Sequence, residues 1–418
     1  MFPYPTVSNG VNSFDVIIVG AGLAGLRAAQ VLQRPGLHVG LFDAAPEVGG
    51  RVATDVVDGF VVDRGFQIIN TAYPELRAAV DLATLSLAPF ERGVILRHHG
   101  VDHVIRDPRQ DPRSIATTLR TFPGNARDLL RAGRLITRVS RRGVARLEAA
   151  PDVSTIDALR ELGFSSRVIE ELWRPFLSGV LLRDDLATSW RFTSLALRSF
   201  VRGTLGVPAQ GVRALPQLMA SSLTNVDIHL STRVRSVSAH SVRSDDASFS
   251  AKVVIVATEA AAARGLIPEI SVPEENGVTT SWFATPSLHG TPILRLDLDG
   301  RRTTNIVDMS AASPTYAPPG SSLIAASYNG ARRVDDEHRV VEDVARLYGL
   351  TTSDVQLVAR NEIPHALPHL RAPLSLRRDL SVDGVLVAGD WTETPSIQGA
   401  LVSGRRAARR ALSLVDVS

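Results

Sequence analysis

The sequence predicts an α/β protein in which a parallel sheet flanked by helices is interleaved with a second, α+β domain. Three observations predict it. Residues 16–42 read VIIVGAGLAGLRAAQVLQRPGLHVGLF: an apolar strand, a glycine turn, a helix and a second strand in unbroken order. KVVIVAT at 252–258 has the same texture, and so does VLVAGD at 385–390, which leads into the helical pattern SIQGALVSGRRAA. Short, β-branched, continuously apolar runs are what strands covered on both faces require. The text between them is less regular. Residues 1–75, 206–265 and 381–418 are therefore assigned to the sheet domain, and 76–205 with 266–380 to the second.

The glycine turn explains the first unit. Gly20 permits the tight turn, Gly22 lets backbone approach a pyrophosphate, and Gly25 lets helix and strand pack closely. Free N–H groups and the helix dipole then favour the phosphates. Asp43 closes the second strand where an acid accepts bonds from an adenosine ribose. Strand, glycines, helix, strand and acid within about thirty residues are the context this motif needs, so the unit is a Rossmann-type dinucleotide site. PEVGGRV follows at 46–52. Gly49 and Gly50 let a loop pass close to a ligand, and Arg51 can bond phosphate or a flavin carbonyl. NAD binding has no need of this addition, so the expected cofactor is FAD. In GFVVDRGFQ at 59–67, a strand leading into a turn, Asp63 is either a site residue or an ordinary turn residue.

Composition bounds the chemistry. The 418 residues suit two or three domains, with 44% hydrophobic and 21% charged residues. The net charge is only +3 and no like-charge tail points to nucleic acid. All but one of the 46 basic residues are arginine, the exception being Lys252. There is no cysteine, which excludes disulfides, thiolate metal sites and a cysteinyl-flavin bond, and non-covalent FAD binding is the default expectation. Residues 1–14 lack the basic and apolar regions of a signal peptide, and no run approaches the ~18 apolar residues of a membrane span. The expectation is a cytoplasmic protein whose only membrane contact would be peripheral.

In the second domain, residues 76–85 read as helical. Arg127, Arg131, Arg134, Arg138, Arg141 and Arg142 recur at helical spacings. They form either a solvated face or a basic amphipathic helix suited to an anionic membrane surface. Between 153 and 173 two short helices are expected, N-capped by Ser154 and Ser165. Residues 176–182 and 189–192 are apolar with aromatic punctuation, as core or cavity wall. Residues 208–216 cross back to the sheet domain, where 226–230 and 232–237 read as strands. In the last part, 291–298 and 322–328 are strand-like, 337–348 is helical, and the chain leads back from Leu376. His365 and His369 flank Pro368, a poor metal pair. No metal site is expected, and no HExxH or GxSxG pattern occurs.

Taken together, the glycine turn, Asp43, Gly49-Gly50-Arg51, the Asp63-x-Gly65 turn and the Gly389-Asp390 strand end resemble the flavin-containing amine oxidase and phytoene desaturase superfamily. That group also holds protoporphyrinogen oxidases and carotenoid isomerases. The resemblance implies that Asp390 bonds the ribityl-pyrophosphate region and that backbone near Val234 meets the adenine. It places Ala257 and Thr258 beside the cofactor. It also sets Ser396, Ile397, Gln398 and Ala400, at the start of the last helix, against the flavin pyrimidine, where the dipole favours negative charge. Many amine oxidases use a lysine at flavin N5, yet the only lysine here starts a strand of the FAD domain. Ser396 stands where monoamine-type oxidases place a cage tyrosine, and the Ser-x-x-Gly-Ala pattern is closer to plant- and cyanobacterial-type carotene desaturases.

The leading expectation is therefore a desaturase or dehydrogenase that passes hydride from a sizeable apolar, isoprenoid-like organic substrate to flavin N5, with oxygen or quinone as acceptor. An amine or amino-acid oxidase, a redox-neutral carotenoid-type isomerase and a non-catalytic FAD-stabilised partner remain open. Catalytic residues and oligomeric state are not assigned. Gly22→Val should abolish FAD binding by blocking backbone approach to the pyrophosphate; a variant purified with full flavin content would overturn that assignment.

Overall fold

The computed structural model describes residues 13–106, 118, 120, 122–300, 303–331, 337–374 and 381–416. The expectations for residues 1–12 and for the return from Leu376 lie outside this range.

The glycine unit forms as β1 (Ser13–Val19), α1 (Leu23–Leu32) and β2 (Val39–Phe42). A hairpin of β3 (Thr54–Val57) and β4 (Phe60–Asp63) follows, where a single strand was expected. Its two-residue turn, Asp58-Gly59, has positive φ at both residues, the mirror-type turn that suits the twist of a hairpin. α2 (Pro74–Ala79) is shorter than the helix expected over 76–85. It ends where Asp81 accepts from the Ala83 amide, a local turn that competes with helix continuation.

β5 (Gly93–His98) and β6 (Val101–Arg106) then pair, and the arginine-rich text forms α3 (Ala126–Arg141). Asn125 and Asp128 cap α3 reciprocally. Ser154 and Ser165 cap helices starting at Thr155 and Ser166, as expected. α4 (Trp190–Arg202) completes the helical part.

β7 (Val226–His229), β8 (Val234–Ser238), β9 (Ser241–Ser244) and β10 (Ser248–Val256) return to the first sheet. β11 (Glu275–Pro286), β12 (Leu294–Asp297), β13 (Asn305–Asp308), β14 (Ser321–Asn329), α5 (Glu337–Tyr348) and β15 (Gln356–Pro368) build the second. β16 (Val385–Val387) and α6 (Ile397–Val415) close the first.

The first sheet runs β7-β2-β1-β10-β9-β8, with β16 also beside β10. Pairs β7/β2, β2/β1, β1/β10 and β10/β16 are parallel, as continuous apolar strands predict. Ile17, Ile18, Leu41, Val254 and Ile255 are fully buried. The second sheet runs β15-β11-β14-β13-β12-β5-β6. β11 and β15, its longest strands among the described residues, were not expected. β15 carries Pro364 and Pro368, which read as breakers, but it lies at the sheet edge, where proline is tolerated.

Asp63 joins these parts. It is fully buried and accepts bonds from the Thr54 hydroxyl at 2.6 Å, the Val212 amide at 3.0 Å and the Tyr316 hydroxyl at 2.8 Å. Burial pushes its pKa from 3.8 to about 6, although all three donors oppose the rise. The folded state thus binds the proton more tightly than the unfolded chain. Stability falls as pH rises from ~4 to ~6 and levels off above, by about 3 kcal/mol on conversion of the shift. Asp63→Asn should remove this component; thermal melts of both proteins across that window would show a slope difference, and parallel curves would refute it.

Candidate functional site

A single cavity of about 2390 Å³ opens over the ends of β1, β2 and β10 and continues between the second sheet and the helices. Its first half is built from the glycine turn. A Cβ on Gly20 would sit 2.8 Å from the Ala257 carbonyl oxygen, and one on Gly25 only 1.8 Å from that of Gly20. Gly22 differs: a Cβ there meets nothing within 4 Å, because it faces the cavity. α1 has no side-chain cap and no acid in its first turn, so its leading amides are left for a ligand. Gly49 donates to the Ala21 carbonyl, and Gly50 lies opposite Gly22. These bare backbone faces form a cradle that side chains would fill, and it fits the pyrophosphate of FAD.

Around the cradle, Asp43 accepts from the amides of Ala21 at 2.6 Å and Ala45 at 2.8 Å. It thereby braces the glycine turn while still lining the cavity. Arg51 donates to Asp390 at 2.6 Å and to the Ala366 carbonyl at 2.7 Å, clasping the Gly-Gly-Arg loop to both domains. Burial opposes its charge, but Asp390, with Glu259 and Glu275, holds its pKa above the ordinary arginine value. Gly389 donates to the Ser403 hydroxyl. Trp391, missed in the sequence, donates to the Thr258 carbonyl at 3.1 Å and supports the turn after β10. Ser396 caps α6 by accepting from the Gly399 amide, while Gln398 accepts from the Glu75 amide. Glu75 also bridges Arg27 and Arg405, tying α2 to α1 and α6.

Of the expected site residues, Gly20, Gly22, Asp43, Gly49, Gly50, Arg51, Gly65, Val234, Ala257, Thr258, Gly389, Asp390, Ser396, Ile397, Gln398 and Ala400 all line the cavity. Two do not. Gly25 is consumed by packing against Gly20, the role expected of a third glycine. Asp63 is corrected: its carboxylate is spent inside the fold on Thr54, Val212 and Tyr316 and does not reach the cavity. Lys252 is likewise remote, paired with Asp15. His365 pairs with Glu275 at 3.0 Å, whereas His369 is buried.

The second half of the cavity has a floor and a roof. Ile363, Val278, Ser327, Asn305, Leu294 and Val94 come from adjacent strands of the second sheet. Sequence reading found the strands of Leu294 and Ser327 but not those of Val278 and Ile363, which carry prolines and polar runs. Phe176, Val180, Leu195 and Phe200 contribute from the helices above. Arginines along this half are committed to protein partners: Arg106 to Glu91, and Arg198 to the carbonyls of Val139 and Ser140. Among the described residues no lysine or histidine lines the cavity, and Tyr73 is the only tyrosine that does.

A family model for flavin-containing amine oxidoreductases matches residues 23–412. The chain belongs to that family. The family is one of flavin-containing oxidoreductases. A putrescine oxidase of Kocuria rosea is 42% identical over 78 residues, 19% of this chain and 16% of that protein. A hydroxyneurosporene desaturase of Rubrivivax gelatinosus is 36% identical over 115 residues, 26% of this chain and 22% of that protein. The chain thus matches under a quarter of the length of either relative. The solved structure of a candidate protoporphyrinogen oxidase from Exiguobacterium sp. 255-15 superposes with a TM-score of 0.74 at 18% identity, over 97% of this chain and 100% of that one, a likeness of fold. No described helix is long and apolar enough to cross a membrane.

The two glycine roles are separable in the apoprotein. Gly25→Ala should lower apoprotein stability by about 1–3 kcal/mol through overpacking, while Gly22→Ala should leave it unchanged and weaken only FAD binding. Denaturant unfolding of flavin-free protein distinguishes them, and equal losses would refute the division.

Proposed function

We propose that this chain is a desaturase or dehydrogenase that oxidises an apolar, isoprenoid-like substrate, with oxygen or quinone as the final acceptor. The observation that carries this reading is the continuity of the cavity, from the FAD cradle into a chamber walled by aliphatic and aromatic side chains. Its volume of about 2390 Å³ exceeds the roughly 300–1,000 Å³ of a site for one small ligand, so a bulky substrate fits beside a dinucleotide. When bound, FAD supplies the hydride acceptor.

The protein's part is binding and placement. The glycine cradle and the α1 amides hold phosphates, and Arg51 with Asp390 fixes the loop beside them. The start of α6 directs its dipole at the cavity, favouring negative charge there. A hydrocarbon offers no proton to remove by an ordinary base. In keeping with that, four of the lining carboxylates, Asp43, Glu91, Asp390 and Glu393, are bonded to backbone amides or arginines, while the fifth, Glu259, is exposed to solvent. Apolar walls exclude water and position the reacting C–H.

An amine oxidase is the second reading, favoured by the putrescine oxidase match. Against it stand Ser396 at the cage position and a lining without lysine. Anaerobic photoreduction followed by readmission of air separates the two. Slow reoxidation, accelerated by an added quinone, is expected. Reoxidation within seconds, with peroxide formed on amine addition, would overturn the desaturase reading.

A further inference from the structure

Helix α3 has three different faces. Leu135 and Val139 are buried against the helical core. Leu129, Ala132 and Ile136 line the main cavity. The outward side is arginine-rich: Arg127, Arg134, Arg138 and Arg141 are exposed and form no ion pair with any described residue. Leu130 stands among them at 54% exposure, and Val144 just beyond the helix at 46%. Exposed aliphatic tips set among cations with no carboxylate partners suit a surface that is anionic outside and apolar beneath, which is a bilayer leaflet.

A second feature makes this face more than a solvated one. A shallow external hollow lies along α3, bordered by Leu130, Arg134, Arg138 and Arg141. Leu129, Gly133 and Thr137 border both that hollow and the main cavity. They lie at four-residue intervals, one row along the helix. At its centre Gly133 has no side chain, and a Cβ built there meets no atom of the described residues within 4 Å. Among the described residues, Gly133 thus leaves the row bare where hollow and chamber adjoin.

We propose that α3 docks on an anionic lipid surface through its arginine face and that the row around Gly133 is the portal by which an apolar substrate passes from the leaflet into the chamber. Docking follows from the charge pattern alone, whereas the portal rests on the apolar-substrate reading. Geometry links the two, since the portal opens along the face that would lie on the lipid.

The test uses full-length, flavin-loaded protein and sedimentation with vesicles. Wild type should bind vesicles of equal parts phosphatidylglycerol and phosphatidylcholine, bind pure phosphatidylcholine weakly, and lose binding at high salt. Arg134→Gln/Arg138→Gln/Arg141→Gln should bind the anionic vesicles about a hundredfold more weakly, at roughly fivefold per arginine, with its flavin spectrum intact. Equal binding to both lipids, or an unaffected triple variant, would overturn docking.

For the portal, Nile red is supplied in the anionic vesicles and its quenching by flavin is followed. Gly133→Trp should retain vesicle binding and flavin yet take up dye at least tenfold more slowly. Uptake at the wild-type rate would overturn the portal. Dye delivered from detergent micelles tests the chamber itself: entry into wild type from micelles but not from vesicles would remove the portal alone, and no entry from either source would remove both the portal and the apolar-substrate reading.

Discussion

The fold depends on a few places where two backbones come so close that no side chain fits between them. Gly25 lies against the Gly20 carbonyl. In α6, a Cβ on Gly404 would stand 2.0 Å from the Ala24 carbonyl oxygen, and one on Gly399 would stand 1.8 Å from that of Thr394. Together these contacts seat α6 on α1 and bring the start of each helix to the same end of the parallel sheet. Two helix N-termini, each a concentration of unpaired amides and partial positive charge, thus face one cavity. An anionic cofactor is favoured there before any side chain is counted.

Side chains then lock the arrangement. Arg51 ties the Gly-Gly-Arg loop to Asp390 and, through the Ala366 carbonyl, to the second sheet. Glu75 does the same on the other side, between Arg27 and Arg405. Such half-buried arginine–carboxylate contacts are costly to desolvate and costly to break. Both occur where segments far apart in sequence meet, which is where register must be specified.

The sequence was legible where backbone geometry restricts residue choice. Gly20, Gly22 and Gly25, the apolar runs of β1, β2, β10 and β16, and the caps at Ser154 and Ser165 all occupy the positions read for them. It was less legible where tertiary packing decides. Asp63 carries the same letters as a cofactor-facing acid, yet only the hydroxyl of Tyr316, 253 residues away, reveals its buried role. β11 and β15 were obscured because bulges shift their register and prolines interrupt their pattern; the neighbouring strands, not local propensity, hold them extended. The Asp58-Gly59 pair between two apolar stretches is itself a hairpin signal in the sequence.

The dispersal of the first sheet's strands over the chain also has a kinetic side. β1 and α1 are synthesised well before β16 and α6, against which they pack and which span residues 385–415. Contacts over such separations close slowly and leave parallel-strand edges exposed meanwhile. During translation the glycine turn therefore waits for the distant helix that completes its cradle. Flavin capture becomes a late event, and a stabilising one, since any ligand that binds only the finished fold draws the folding equilibrium towards it. The supply of flavin in the cell would then set how much of this protein survives its own synthesis.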